Sequence, residues 1–194
     1  CPKILPEIGL KVNHFWLFFG CLIGCLIRDI SVHLKYLKAS MEATEAEIQN
    51  FTNQTPGLKA KQELLVSIPG VGKKTSARLL AEIGEINRFE NAPQLAAYAG
   101  LNPKGFSSGS SVHKKTRISK QGRSELRACL YMPAIVAMTH NPVVRALKER
   151  LQKKQLPTMA IVAACMRKLL HIVYGVLKSQ MPFDPDYDRQ FNFW

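Results

Sequence analysis

The chain has 194 residues, 46% of them hydrophobic, which permits one compact domain or one domain with an extension and excludes wholesale disorder. Its 27 Lys and Arg against 14 Asp and Glu leave a formal net charge of +13, so the expected partner is a polyanion: nucleic acid first, an anionic membrane surface second. The cysteines, Cys1, Cys21, Cys25, Cys129 and Cys165, are odd in number and form no C-x-x-C pair, which excludes a compact zinc site and points to free thiols in a reducing cytoplasm.

The run "FWLFFGCLIGCLI", residues 15–27, is apolar but short of the ~20 residues that cross a bilayer. Lys3 and Lys11 precede it as in a secretory signal, yet no small-residue cleavage site follows, and the chain begins with Cys. Residues 1–27 therefore carry no assignment. From Ile30 the spacing becomes regular: Ile30, Leu34, Leu37, Met41, Ile48 and Phe51 fall on alternating steps of four and three, with Thr44 in one slot. This heptad predicts a helix over 28–57 that either lies on its own domain or pairs as a coiled-coil arm with another copy, giving a dimer or tetramer. "NQTPG", 53–57, ends it.

Residues 60–84 predict two short helices joined by "PGVG". The first buries Leu64, Leu65 and Ile68; the second starts near Lys73, buries Ala77, Leu80, Ala81 and Ile83, and is capped by Gly84. Gly70 and Gly72 permit positive φ and close approach of another backbone. This is a helix–hairpin–helix pattern. Open N–H groups at the start of the second helix suit a phosphate, and Lys73, Lys74 and Thr75 add charge and a hydroxyl. Such contacts hold a duplex without reading its sequence. An ordinary αα-hairpin is the plainer alternative; a Walker A loop cannot be written here.

Asn91 caps a short helix that buries Leu95 and Tyr98. "GLNPKGFSSGSSVHKKTRISKQG", 100–122, follows, rich in serine and cations and without an acid. A short hairpin fits around 101–118. Ser119 is the expected N-cap of the next long helix, with Pro133 as a kink. Asn141-Pro142 restarts a helix whose polar face carries Arg145, Lys148, Arg150, Lys153 and Lys154. A last helix, about Thr158 to Ser179, turns Ile161, Cys165, Leu169 and Ile172 to the core. The tail has no period. The fold class is mainly α.

Lys104, His113, Lys114, Lys115, Arg117, Lys120 and Arg123 surround the serines. A serine oxygen can attack phosphorus where cations stabilise the alkoxide and the phosphoryl charge. A hydrolytic triad is unsupported: the loop has no acid and G-x-S-x-G is absent. Tyr98 and Tyr131 sit at helical spacing among apolar residues and fit a core. Among Ser107, Ser108, Ser110 and Ser111 the residues themselves give no ranking; local hydrogen bonding accounts for any of them.

"SIPGVGKKTSARLLAEIG", "AAYAGLNPKGFSSGSSVHKKTRISKQG", "LRACLYMPA" and "VYGVLKSQMPFD" together resemble the C-terminal domain of the insertion sequence 110 family transposases, relatives of the Piv and MooV invertases. The resemblance runs from about Arg28 to Asp184 and puts the transposase domain at 58–184, with 185–194 as a tail. It implies that Ser108 attacks the DNA backbone and forms a phosphoserine link. It also implies an N-terminal RuvC-like domain with four metal-binding acids, and a structured guide RNA as partner. This chain lacks that domain, so an incomplete copy is expected. No cofactor is expected in this chain, and divalent metal (Mg) only in the missing domain. The expected setting is cytoplasmic and nucleoid-associated, on double-stranded DNA and without a membrane. Two other classes compete: a non-catalytic helix–hairpin–helix DNA-binding module, and a membrane-associated protein anchored by residues 15–27.

Overall fold

A single 41-residue helix, α1 (His14–Gln54), opens the computed structural model, which describes residues 14–108 and 112–186, with side chains for 23–105 and 117–186. The expectations for residues 1–13, 109–111 and 187–194 lie outside these limits. The apolar stretch and the heptad share one helix because no proline interrupts residues 14–54. The seam residues Ile30, Leu34, Leu37, Met41, Ile48 and Phe51 are all exposed, from 43% to 64%. In the slot between them the Thr44 hydroxyl donates to the Ser40 carbonyl of its own helix, at 2.9 Å. The chain divides into two units, residues 1–48 and 49–194.

The second unit is built from six helices and one hairpin: α2 (Pro56–Val66), α3 (Lys73–Ile83), α4 (Ala92–Tyr98), β1 (Pro103–Ser108), β2 (Val112–Ile118), α5 (Ser124–His140), α6 (Pro142–Lys153) and α7 (Thr158–Ser179). The mainly α expectation is met. Pro56 stands in the first turn of α2, where its missing N–H costs nothing. Asn91 caps α4 as expected, its Oδ1 accepting from the Gln94 N–H at 2.9 Å. Asn141 caps α6 in the same way, accepting from Val143 and Val144 at 3.0 and 3.3 Å.

Two expectations about helix faces and ends are corrected. α3 buries Ser76, Leu79, Leu80 and Ile83, whereas Ala81 is exposed and Ala77 half-buried. Ser76 can turn inward because its hydroxyl is satisfied by the Lys73 carbonyl at 2.9 Å. α5 starts at Ser124, not after Ser119. Lys120 (φ 55°) and Gly122 (φ 134°) lie in left-handed space that no right-handed helix can contain. The Ser119 N–H instead bonds the Asn102 carbonyl, at 2.8 Å, and prolongs the hairpin.

α5 and α7 form the centre. Leu126, Leu130, Ala134 and Ala137 of α5 are fully buried, as are Cys165, Leu169, Leu170 and Val173 of α7. Leu65 of α2 and Leu79 and Ile83 of α3 complete the same cluster. Each buried leucine is worth roughly 1.5–3 kcal/mol of transfer free energy. α7 is long and apolar enough to cross a bilayer, but its apolar side chains pack into the core. Burial pushes the Cys129 thiol up, and the Cys165 thiol to about 11, so both stay neutral.

The tightest packing is at the foot of the hairpin. A Cβ on Gly122 would overlap the Tyr98 carbonyl oxygen, and one on Gly100 would sit 2.7 Å from both the Gln121 carbonyl oxygen and Arg127 Nη1. Gly122→Ala is therefore expected to destabilise the fold by about 1–3 kcal/mol in urea denaturation. Gly57→Ala, where a Cβ meets nothing within 4 Å, should be neutral or slightly stabilising. Equal losses at the two positions would contradict the packing described.

Candidate functional site

The serine-bearing hairpin is rooted in a clasp between α4 and α5. Three backbone bonds make it: Ser119 N–H to Asn102, Lys120 N–H to Gly100 at 3.1 Å, and Arg123 N–H to Tyr98 at 2.9 Å. Arg127 of α5 reaches into it, its Nη1 donating to the Ala99 carbonyl at 2.9 Å. A guanidinium at a short contact with a backbone carbonyl is a charge-assisted bond, about twice the strength of a neutral one. The α4 side is braced by the Phe89 and Tyr98 rings, packed edge-on at 5.4 Å, with the Arg88 guanidinium 5.3 Å from each ring centre.

Above the clasp the strands pair antiparallel. Pro103 faces Ile118, Lys104 faces Arg117, Phe106 faces Lys114, Ser107 faces His113 and Ser108 faces Val112, with an irregularity in register between Lys104 and Phe106. Ser108 thus ends β1. The side chains of Ser108, Lys114 and Lys115 lie outside the described residues. Those of Lys104 and Arg117 are exposed, and they stand directly opposite each other across the ladder. Like charges so placed repel. Beneath them Lys120, also exposed, holds φ at 55°.

A second cationic feature is the turn between α2 and α3. Val71 N–H closes it on the Ile68 carbonyl at 3.0 Å, and Gly70 takes φ 105°. Gly70 must be a glycine: a Cβ there would lie 3.0 Å from the Pro133 carbonyl oxygen and from Ala137 on α5. Gly72 differs from expectation: its φ is −91°, a Cβ would meet nothing, and it serves as the N-cap residue of α3. Gln62, 4% exposed, fixes the entry to α3 by donating to the Lys73 carbonyl at 3.1 Å. Gly72, Lys73 and Lys74 are exposed, Thr75 is half-buried, and the first turn of α3 holds no acid. The leading N–H groups of a helix have no partner inside it.

The two features are brought together by α5 but do not merge. α3 runs against α5 in the opposite sense. Thr75 lies beside Cys129, and Gly70 beside Ala137, while Glu82 at the other end of α3 binds Arg123 just ahead of α5. Thr75 meets α5 six residues after Arg123 and Gly70 fourteen residues after it, so along the helix axis the cationic turn lies about 9 to 20 Å from the clasp at Arg123. Lys104, Arg117 and Lys120 belong to the hairpin and clasp, and Lys73, Lys74 and Thr75 to the turn further along α5.

Arg123, expected at a ligand, has a partner within the chain. Its Nε and Nη2 donate to one Glu82 oxygen at 3.2 and 3.0 Å. That pairing is the largest cause of its raised pKa. Its place is a brace between α3 and α5. Sequence reasoning missed Arg127, Gln62 and Glu82, because each acts through a residue at least eleven positions away. Among the described residues, no group of three or more His, Cys, Asp or Glu could hold a metal ion.

The features just described coincide with a known family. Residues 62–149, from α2 into α6, match the model of the Transposase IS116/IS110/IS902 family. The pilin gene-inverting protein of Moraxella bovis is 39% identical over 153 residues, covering 78% of this chain and 48% of that protein. The insertion element IS110 43.6 kDa protein of Streptomyces coelicolor is 26% identical over 157 residues, covering 81% and 38%. A probable family 20 transposase of Pseudomonas aeruginosa is 26% identical over 168 residues, covering 84% and 48%. The chain spans about half or less of the length of these relatives. The chain belongs to the IS116/IS110/IS902 family of transposases.

Proposed function

We propose that this chain is the strand-exchange domain of a DNA transposase or site-specific recombinase, with Ser108 as its nucleophile. The observation that carries the proposal is the placement of Lys104 against Arg117 in the hairpin that ends in Ser108. A phosphate lying between two facing cations is held by both. Lys120 adds to this. A left-handed lysine costs roughly 1–2 kcal/mol that a glycine would not, and backbone strain of this kind clusters at functional sites. The Moraxella protein's name, a gene-inverting protein, also fits: inverting a segment of DNA requires its strands to be cut and rejoined.

The step is a transesterification. Ser108 Oγ attacks a backbone phosphorus and loses its proton. The P–O bond to one deoxyribose breaks, and that oxygen leaves as a hydroxyl after gaining a proton. The phosphoserine ester keeps the bond energy, so a hydroxyl end of another strand can reverse the step and reseal the DNA. Lys104, Lys114, Lys115, Arg117 and Lys120 are the cations proposed to bear the phosphoryl charge. The four acids and divalent metal that the family resemblance implies, and any guide RNA, are proposed to act together with this domain. The proposed setting is cytoplasmic, on the nucleoid.

Duplex binding is assigned to the α2–α3 turn as a helix–hairpin–helix, with Gly70 giving close packing and Gly72, Lys73, Lys74 and Thr75 facing the backbone. Lys73→Ala with Lys74→Ala should weaken binding to all duplexes alike and reduce the slope of log K against log salt by about 1 to 2. An unchanged affinity at every salt concentration would remove the turn from the interface.

The exposed heptad of α1 is proposed as a self-association arm. Leu37→Asp places a charge in the seam and should lower the sedimenting mass from a dimer or tetramer towards the monomer. A monomer for both proteins would exclude the arm.

Ser108→Ala is the test of the chemistry. In a system reconstituted with an acidic domain, guide RNA and divalent metal, it should bind DNA normally and form no covalent protein–DNA adduct. Ser107→Ala and Ser110→Ala should retain adduct. Adduct persisting in Ser108→Ala would move the nucleophile elsewhere. No adduct from any variant or the parent, with DNA binding intact, would favour a non-catalytic DNA-binding module.

A further inference from the structure

The end of α5, the Asn141 corner and α6, residues 139–154, carry Arg145, Lys148, Arg150, Lys153 and Lys154 against a single acid, Glu149. That is +4 of the net +13, in a segment that neither the hairpin nor the α2–α3 turn includes. The packing of α6 decides which way these charges face. Val144 is fully buried, and Leu147 and Leu151 lie against the core. Arg145, Arg150, Lys153 and Lys154 are left exposed on the other side, and Lys148 is half-buried.

Other cations of this unit have acidic company. Arg123 binds Glu82 at 3.0 Å, and Lys61 lies 3.8 Å from Glu85. Lys168 and Lys178 line an apolar groove of about 920 Å³ beside α7 together with Glu90 and Asp184. Among the described residues, none of the five cations of residues 139–154 is ion-paired. Arg145 is instead held by a neutral group: its Nη2 donates to the Thr139 carbonyl at 2.9 Å. A carbonyl orients the guanidinium without cancelling its charge, and a cation already oriented loses less freedom on meeting a phosphate.

The segment adjoins the cationic turn. A Cβ on Gly70 would lie 3.0 Å from Ala137, and the exposed His140 follows Ala137 by about one helical turn, 5 Å. Composition then selects the ligand. A helix that lies on a membrane needs its apolar face free, and that of α6 is packed on the core. A single strand is held by stacking on aromatic rings, and residues 139–154 contain no Phe, Tyr or Trp. The backbone of a duplex asks only for spaced cations.

We infer that α6 and the α5–α6 corner bind the backbone of a DNA duplex, continuing the surface that begins at the α2–α3 turn. Arg145 and Lys153 are the main contacts, about 12 Å apart along α6. Glu149 stands midway between them in sequence and opposes binding. The inference rests on the reading of the turn as a duplex contact, and the experiment separates the two.

The full chain is titrated with a mixed-sequence DNA duplex between about 50 and 200 mM salt. Arg145→Gln with Lys153→Gln should weaken binding several-fold and lower the slope of log K against log salt by about 1 to 2. Arg150→Gln with Lys153→Gln should act in the same direction while leaving the Thr139 bond intact, so that a loss of fold through Arg145 is not mistaken for a lost contact. Glu149→Gln should tighten binding. Lys59→Gln, which removes an exposed cation at the start of α2, should leave the slope unchanged. A slope that neither α6 pair alters would overturn the inference, whatever Lys73→Ala with Lys74→Ala does. A slope lowered by the α6 pairs but not by the Lys73 and Lys74 pair would remove the turn and leave the α6 contact standing. An equal loss in Lys59→Gln would reduce the effect to net charge and overturn the assignment. A loss confined to an RNA duplex of the same length would give the segment to RNA and overturn it too.

Discussion

The contact of the Gly122 backbone with the Tyr98 carbonyl is the constraint from which the rest of the site follows. It leaves no room for a side chain, and with Gly100 and Arg127 it locks the end of α4 to the start of α5. The hairpin is thereby held at both feet, and its two strands enter at a fixed spacing. A two-stranded ribbon alone is marginally stable in water. Here the clasp supplies what the ribbon lacks, so the serine-bearing end can stand clear of the core without the ribbon dissolving.

α5 acts as the ruler of the unit. It receives the clasp at its first turn and the Gly70 turn near its last, and its buried residues Leu126, Leu130 and Ala134 fix both to one core. Glu82 and Arg123 set the phase of α3 against it. An exposed pair of this kind contributes little to stability, about 0–1 kcal/mol. Its value is positional: it determines that the cationic turn and the hairpin lie apart along the helix rather than in one cluster. A long, periodic anion is the kind of partner that meets cations spaced in this way.

Charge and apolarity are segregated over the second unit. Lys73, Lys74, Lys104, Arg117 and Lys120 are exposed, and the apolar groove beside α7 is electrically balanced. The two surfaces are reached from different elements. α7 provides the groove and packs on α5, so both surfaces depend on the same leucine-rich core.

Much of this was legible in the residues, and for a stated reason in each case. Asn91 and Asn141-Pro142 gave helix starts because capping is a local bond between a side chain and the next turn. The spacing of Cys165 and Leu169 placed α7, since a 3.6-residue period depends on nothing beyond the helix itself. The positive net charge and the P-G-V-G-K-K turn were likewise visible without a fold. The start of α5 was not: Ser119 had the chemistry of a cap, but pairing with Asn102 across the hairpin outcompeted it. The buried face of α3 was missed because Ser76 turns inward only once its hydroxyl finds the Lys73 carbonyl. Arg123 was legible as a cation, but its pairing with Glu82, forty-one positions away, was not. The sequence by itself determined the helices, their caps and the sign of the surface, because these arise from neighbours within a few residues. Only the tertiary structure decided which cations stand opposite each other and which are paired, because those depend on groups that meet across α5.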